Sequence, residues 1–199
     1  MTADNETAMK HLRIFAAINV SVLSVRKLAE LQRKLRSQQS PELKIGWVPP
    51  ANLHLTLKFF GNLAPEQVEA VADATRRAAQ GVSPFEVTAQ GLGVFPTPDK
   101  PRVLWVGFAD GLEPMTALQV RLEEASEALG FERDKRPFSG HLTLGRVRQG
   151  TEGIDAWLQD HADVDCLTST INEIVIYESR LHRTGAEYVS HYRVPLDGR

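Results

Sequence analysis

The chain has almost no cysteine, no long apolar run and no strong excess of charge of either sign. Its single cysteine, Cys166, among 199 residues excludes an internal disulfide and a redox pair, a usage that fits a reducing cytoplasm. With no activating motif beside it, that thiol is expected to be a bland side chain rather than a nucleophile. No stretch approaches the roughly 18 apolar residues that a membrane-spanning helix needs. Residues 1–10 have neither the basic start nor the apolar middle of a secretory signal, so they read as a flexible tail. A net charge of −2 argues against a protein that coats nucleic acid electrostatically, yet it leaves open one that handles a nucleic-acid end. No phosphate-cradling Walker loop occurs, and Gly91-Leu92-Gly93 lacks the rest of a dinucleotide fingerprint. What these absences leave is a globular protein, expected to be cytoplasmic and to need no cofactor; a monomer is expected, although the sequence itself leaves the oligomeric state open. At 42% hydrophobic and 24% charged residues it is expected to form one domain over 1–199.

What the chain does have is a repeated phrase. His-Leu-Thr-Leu stands at His54-Leu55-Thr56-Leu57 and again at His141-Leu142-Thr143-Leu144. Each copy reads as a short strand, and side chains alternate across a strand. Leu53, Leu55, Leu57 and Phe59 are therefore expected on one face, with His54, Thr56 and Lys58 on the other. In the second copy His141 and Thr143 share a face, Leu142, Leu144 and Val147 can enter a core, and Gly145 signals a bulge or bend. One His-x-Thr strand is more often a half-buried surface strand than a site. Two copies in one chain are the mark of matching halves, and two such strands facing each other would make a site.

Around the motifs, helices are expected from a cap at Ser21 or Ser24 to about Ser37, and near Pro65–Gln80, Leu112–Leu129 and Ile154–His161. Strands are expected at Leu12–Val20, Ile45–Val48, Phe85–Gln90, Val103–Phe108, Ile171–Tyr177 and Ala186–Leu196. The Gly/Pro-rich 91–101 stretch reads as a long hairpin connection, and Trp105 reads as a core residue. The hairpin signals favour an α+β fold of two lobes, with mainly antiparallel sheets and flanking helices around a central cleft.

In-line cleavage of a phosphodiester requires a base on the attacking oxygen, an acid on the leaving oxygen and donors for the phosphoryl oxygens. Two imidazoles near neutrality supply the base and the acid, and the motif symmetry leaves open which is which. Thr56 and Thr143 can donate hydroxyl hydrogen bonds, and Arg146, which extends the second motif strand, a charge-assisted one. A zinc site is the rival chemistry, but neither motif has a second ligand at zinc spacing, so no metal is expected. His11, His161, His182 and His191 lack comparable surroundings and read as structural or surface residues.

The chain resembles the two-histidine phosphoesterases, and within them the bacterial RNA 2′,3′-cyclic phosphodiesterases once named 2′-5′ RNA ligases. The likeness is carried by Arg13-Ile14-Phe15-Ala16-Ala17, the stretch from Trp47 to Phe59, Gly91–Pro96, Pro101–Trp105, Arg136-Pro137-Phe138 and Tyr177-Glu178-Ser179-Arg180-Leu181. It implies a bilobal fold, no metal, and hydrolysis of a 2′,3′-cyclic phosphate on an RNA 3′ end or nucleotide to a 2′-phosphate. It assigns His54 as proton donor and His141 as proton acceptor, with Thr56, Thr143 and Arg146 on the phosphate. Ser139-Gly140 departs from the pattern, since a proline often precedes the second histidine. Reversible 2′-5′ ligation and non-catalytic binding of RNA ends or nucleotides are the alternative functions.

Overall fold

A computed structural model describes residues 11–161, 168–183 and 185–198. The 1–10 tail and Cys166 lie outside the described residues. The strands are β1 (Leu12–Ile18), β2 (Lys44–Trp47), β3 (Leu55–Leu63), β4 (Phe85–Phe95), β5 (Val103–Asp110), β6 (Leu142–Gln149), β7 (Thr168–Ile171), β8 (Glu173–His182) and β9 (Gly185–Pro195). The helices are α1 (Val22–Gln38), α2 (Pro65–Ala79), α3 (Leu112–Glu127) and α4 (Ile154–Gln159). The strands form two sheets, ordered β3-β1-β8-β9 and β2-β6-β5-β4-β7, and every adjacent pair is antiparallel. This is the expected α+β arrangement, with one motif strand in each sheet.

Local chemistry sets the helices. Ser21 caps α1, its hydroxyl accepting the Ser24 N–H at 3.1 Å. Pro65 occupies the first turn of α2, where its missing N–H costs nothing, with Glu66 favourably placed at the positive end. Met115, Leu118 and Leu122 of α3 are essentially inaccessible to solvent. The chain then turns at Gly130, whose φ of +86° suits glycine. Helices α2 and α3 pack on each other and against the four-stranded sheet. Helix α1 lies against the other sheet, where buried Gln32 donates to the carbonyls of Val48 (2.8 Å) and Leu144 (2.9 Å).

Two segments differ from the expectation. Strand β4 does not end at Gln90 but continues through Gly91 and Gly93 to Phe95, absorbing Gly91 as an extra residue opposite β5. The Ile171–Tyr177 stretch is two strands in different sheets. Thr168–Ile171 pairs with β4, and after Asn172 the chain pairs with β1 and β9. The apolar run looks continuous in sequence because buried residues stand on both sides of the break, Ile171 in the first piece and Ile174, Val175 and Ile176 in the second.

Candidate active site

The two motif strands carry the same irregularity. Against β1, Thr56 pairs with Ala17 and Lys58 with Ala16, which leaves Leu57 extra. Against β5, Thr143 pairs with Trp105 and Gly145 with Leu104, which leaves Leu144 extra. A bulge thus follows each threonine, and one extra residue exchanges the faces of everything after it. The uninterrupted alternation expected for the first copy is therefore wrong beyond Thr56. Phe59, 62% exposed, moves to the face of His54 and Thr56, and Lys58, 6% exposed, turns inward. In the second copy the bulge expected at Gly145 occurs, and it brings Arg146 onto the face of His141 and Thr143.

The inward Lys58 is fully engaged. Its ammonium meets the Glu123 carboxylate at 2.5 Å and the Glu132 carbonyl at 3.0 Å, while Gln119 donates to the other Glu123 oxygen at 3.0 Å. The corresponding residue of the second motif, Gly145, has no room for a side chain, because a Cβ would lie 2.5 Å from Ile45 Cγ2.

Both imidazoles are held in the same way. His54 Nδ1 lies 2.7 Å from the Asn52 carbonyl, and His141 Nδ1 lies 2.7 Å from the Ser139 carbonyl. A carbonyl only accepts, so each Nδ1 carries the hydrogen and donates it, and each neutral ring keeps Nε2 as its free base. At His54 that atom is 3.1 Å from the Thr56 hydroxyl, which donates to it. Burial is the main cause lowering the pKa of both rings, opposed by the carbonyl bonds. The charge of His141 lowers His54 further, and that of Arg146 lowers His141 further. The two rings and the guanidinium thus share one electrostatic neighbourhood.

Each ring backs onto a different aromatic wall. His54 lies 4.9 Å from the Phe15 ring and edge-on to Tyr188 at 5.1 Å, with Tyr177 behind. His141 stands edge-on to Phe95 at 5.0 Å and tilted to Trp105 at 6.5 Å. Trp105 is thus a half-buried neighbour of His141 on the site face rather than the expected core residue. Burial raises the Tyr188 pKa, while Arg146 and Arg13 oppose the rise, which puts both cations near that ring. Sequence reasoning missed these wall residues, for they come from strands that only the fold brings together.

The other histidines have structural partners. His161 is buried between the Trp157 carbonyl and Gln38. His191 and Arg180 both donate to buried Glu178, and Arg180, then His191, hold its carboxyl down to about 2. Among the described residues, no three His, Cys, Asp or Glu side chains gather at positions that could hold a metal ion. Among the same residues, no helix is long and apolar enough to cross a membrane.

A family model described as LigT like Phosphoesterase matches residues 23–105 and 108–188. The chain belongs to the LigT-like phosphoesterases. Among its relatives, a protein of Methanothermobacter thermautotrophicus named RNA 2′,3′-cyclic phosphodiesterase is 29% identical over 89% of this chain and 95% of its own. One of the same name from Aeropyrum pernix is 31% identical over 74% of this chain and 84% of its own. In structure, this LigT-like chain superposes on E. coli LigT complexed with 3′-AMP with a TM-score of 0.75 at 23% identity, covering 94% and 98% of the two chains. It also superposes on a Thermus thermophilus protein, TT0787, with a TM-score of 0.73 at 26% identity, covering 94% and 99%. The paired sheets are those of the LigT-like fold.

Proposed function

We propose that the chain is an RNA 2′,3′-cyclic phosphodiesterase that opens the cyclic phosphate at RNA 3′ ends to a 2′-phosphomonoester, using His54 and His141 as its proton-transfer pair. The observation that carries this reading is the matched anchoring of the two imidazoles. Each Nδ1–H is spent on the carbonyl two residues before it, which makes Nε2 the proton-transfer atom of each ring, at His54 with the Thr56 hydroxyl beside it. The names of the relatives over most of the chain support the reaction class.

In the proposed reaction water attacks phosphorus in line as His141 Nε2 takes its proton. The bond from phosphorus to the ribose O3′ breaks, and O3′ takes a proton from His54 Nε2, leaving the phosphate on O2′. Thr56, Thr143 and Arg146 hold the phosphoryl oxygens as charge gathers there. Burial favours the neutral form of the free rings, whereas a phosphodiester anion beside them favours the imidazolium, so bound substrate raises the share of protonated acid. Water, two imidazoles and the substrate balance the reaction without a metal. The protein is proposed to act as a cytoplasmic monomer.

The test is turnover of an oligonucleotide ending in a 2′,3′-cyclic phosphate in excess chelator, with identification of the product. A 2′-phosphate formed at an undiminished rate is expected. Binding without turnover would make the chain an RNA-end binder instead, and loss on chelation with rescue by one metal would restore the metal reading.

A further inference from the structure

Beside Trp105 and the segment that leads into His141 lies a cavity of about 520 Å³. It exists because the second sheet is uneven there. Strand β5 runs on to Asp110, but its partner β6 begins only at Leu142, opposite Val106. The chain leading to His141 therefore leaves the flank of β5 uncovered, and Phe138, Ser139 and Gly140 form the far wall. Trp105 forms the near wall. Its indole lies across two glycines, since a Cβ at Gly93 would overlap the ring and one at Gly107 would come within 3.2 Å of it. Leu112 and Thr116 at the start of α3 close the outer side.

The chemistry of this lining selects its occupant. None of the residues lining the cavity carries a charge, so it offers nothing to pair with a phosphate. It offers an aromatic side chain and, at Gln90, Ser139 and Thr116, polar groups suited to the edge of a flat heterocycle. That is the composition of a nucleobase site, in which stacking supplies the affinity. The cavity adjoins the reaction centre, because Trp105, which lines it, stands 6.5 Å from the His141 ring, and Ser139, which also lines it, provides the carbonyl that fixes that ring. In a 2′,3′-cyclic phosphate the phosphorus closes a ring with the ribose itself, so the terminal nucleoside begins at the histidine tips. Ser139 marks the Nδ1 side of His141, opposite the Nε2 that would meet the phosphate, and the base assigned to the cavity is accordingly the neighbour of the terminal one.

Resting on the cyclic phosphodiesterase reading, we propose that this cavity is a subsite for the nucleobase next to the terminal one, and that the preferred substrate is an RNA strand rather than a free cyclic nucleotide. The experiment compares a mononucleoside 2′,3′-cyclic phosphate with a trinucleotide ending in the same group. It uses the wild type and two variants that fill the cavity from the exposed side of α3, Thr116→Phe and Leu112→Trp. The wild type should show a KM about 5- to 100-fold lower for the trinucleotide, the range one stacked base provides. Either variant should remove most of that advantage, leaving kcat on both substrates and KM for the mononucleotide unchanged, with an unaltered melting temperature as the check on folding.

Equal KM values in the wild type would overturn the proposal. So would a preference that survives both variants, because it would come from backbone charge alone. An equal rise in KM for both substrates would place the terminal base in the cavity, also against the proposal. If the wild type turns over neither substrate, the cyclic phosphodiesterase reading fails. The subsite is then judged by binding of the trinucleotide 2′-phosphate against the mononucleoside 2′-phosphate, where a preference lost in both variants sustains it and no preference refutes it.

Discussion

Set side by side, the two His-Leu-Thr-Leu strands agree wherever the proposed chemistry requires it and differ wherever they meet the rest of the protein. Each has a histidine pinned by the carbonyl two residues back, a threonine beside it and a bulge at the second leucine. After the bulge they part. The first strand turns Lys58 inward to Glu123 and presents Phe59 beside the Phe15 ring. The second places Gly145 under Ile45 and presents Arg146. Even the bulges are secured differently, one by the buried ion pair, the other by Gln32 donating to the carbonyl of the extra residue, Leu144. A repeated site has thus been fitted to two unlike surroundings, and only one half brings a cation to the site face at that position.

The shared features should matter most. His54→Ala and His141→Ala are each expected to lower turnover by about 10²- to 10⁴-fold, the usual worth of general acid–base catalysis, in proteins with unchanged circular dichroism. Near-wild-type turnover of either folded variant would end the idea of a matched pair.

Next in size comes the feature peculiar to the first strand. Lys58→Met leaves Glu123 buried and unpaired, and denaturant titration should show a loss of about 3–5 kcal/mol. The double variant Lys58→Met/Glu123→Met should recover most of it. A loss in the double variant as large as in the single one would mean that the lysine stem, not the ion pair, secures this bulge.

Arg146 sharpens the electrostatic difference. A charge-assisted bond to the phosphate corresponds to about 1.5–3 kcal/mol, so Arg146→Met should lower kcat/KM roughly 10- to 100-fold. It should also move the pH profile. His141 as proton acceptor must be neutral, and the nearby guanidinium depresses its pKa. Removing that charge raises the pKa, so the acidic limb of kcat/KM should shift to higher pH. Phe59→Leu, at the matching position, should leave the limb in place. An unshifted limb in Arg146→Met would separate the guanidinium from the catalytic imidazole.

The smallest effect belongs to the second bulge. Gln32→Leu removes one of two donors to the Leu144 carbonyl, which keeps the Val48 N–H at 2.9 Å. A loss of about 1–2 kcal/mol is expected, and a loss as large as that of Lys58→Met would mean that the two bulges are equally demanding.

The comparison also explains what could be read in the sequence. The repeat, the leucines of the core, the helix start at Pro65 and the antiparallel sheets follow from local pattern, and the structure carries them; between Ser21 and Ser24 as the cap of the first helix, it is the structure that chooses Ser21. The second bulge was legible because a glycine marks it. The first was not, because Lys58 fits a solvent-facing alternation and its partner Glu123 is distant in sequence. The division of 168–182 between two sheets is equally silent, since buried apolar residues stand on both sides of the break, Ile171 before it and Ile174, Val175 and Ile176 after it. Tyr188, Phe95 and Trp105 reach the site through long-range strand pairing, which no local signal encodes.

The central claim is that two nearly identical imidazoles perform opposite proton transfers, His54 giving and His141 taking. A proton donor matters in proportion to how poor the leaving group is, whereas the attacking water needs a base whatever departs. The decisive measurement is the rate of His54→Ala and of His141→Ala on the cyclic-phosphate oligonucleotide and on a nitrophenyl phosphodiester that the wild type hydrolyses. The account predicts that His54→Ala regains much of its lost rate on the nitrophenyl ester while His141→Ala stays impaired. Recovery of His141→Ala instead would exchange the two roles, and recovery of neither would contradict the division of labour, leaving both imidazoles as holders of the phosphate.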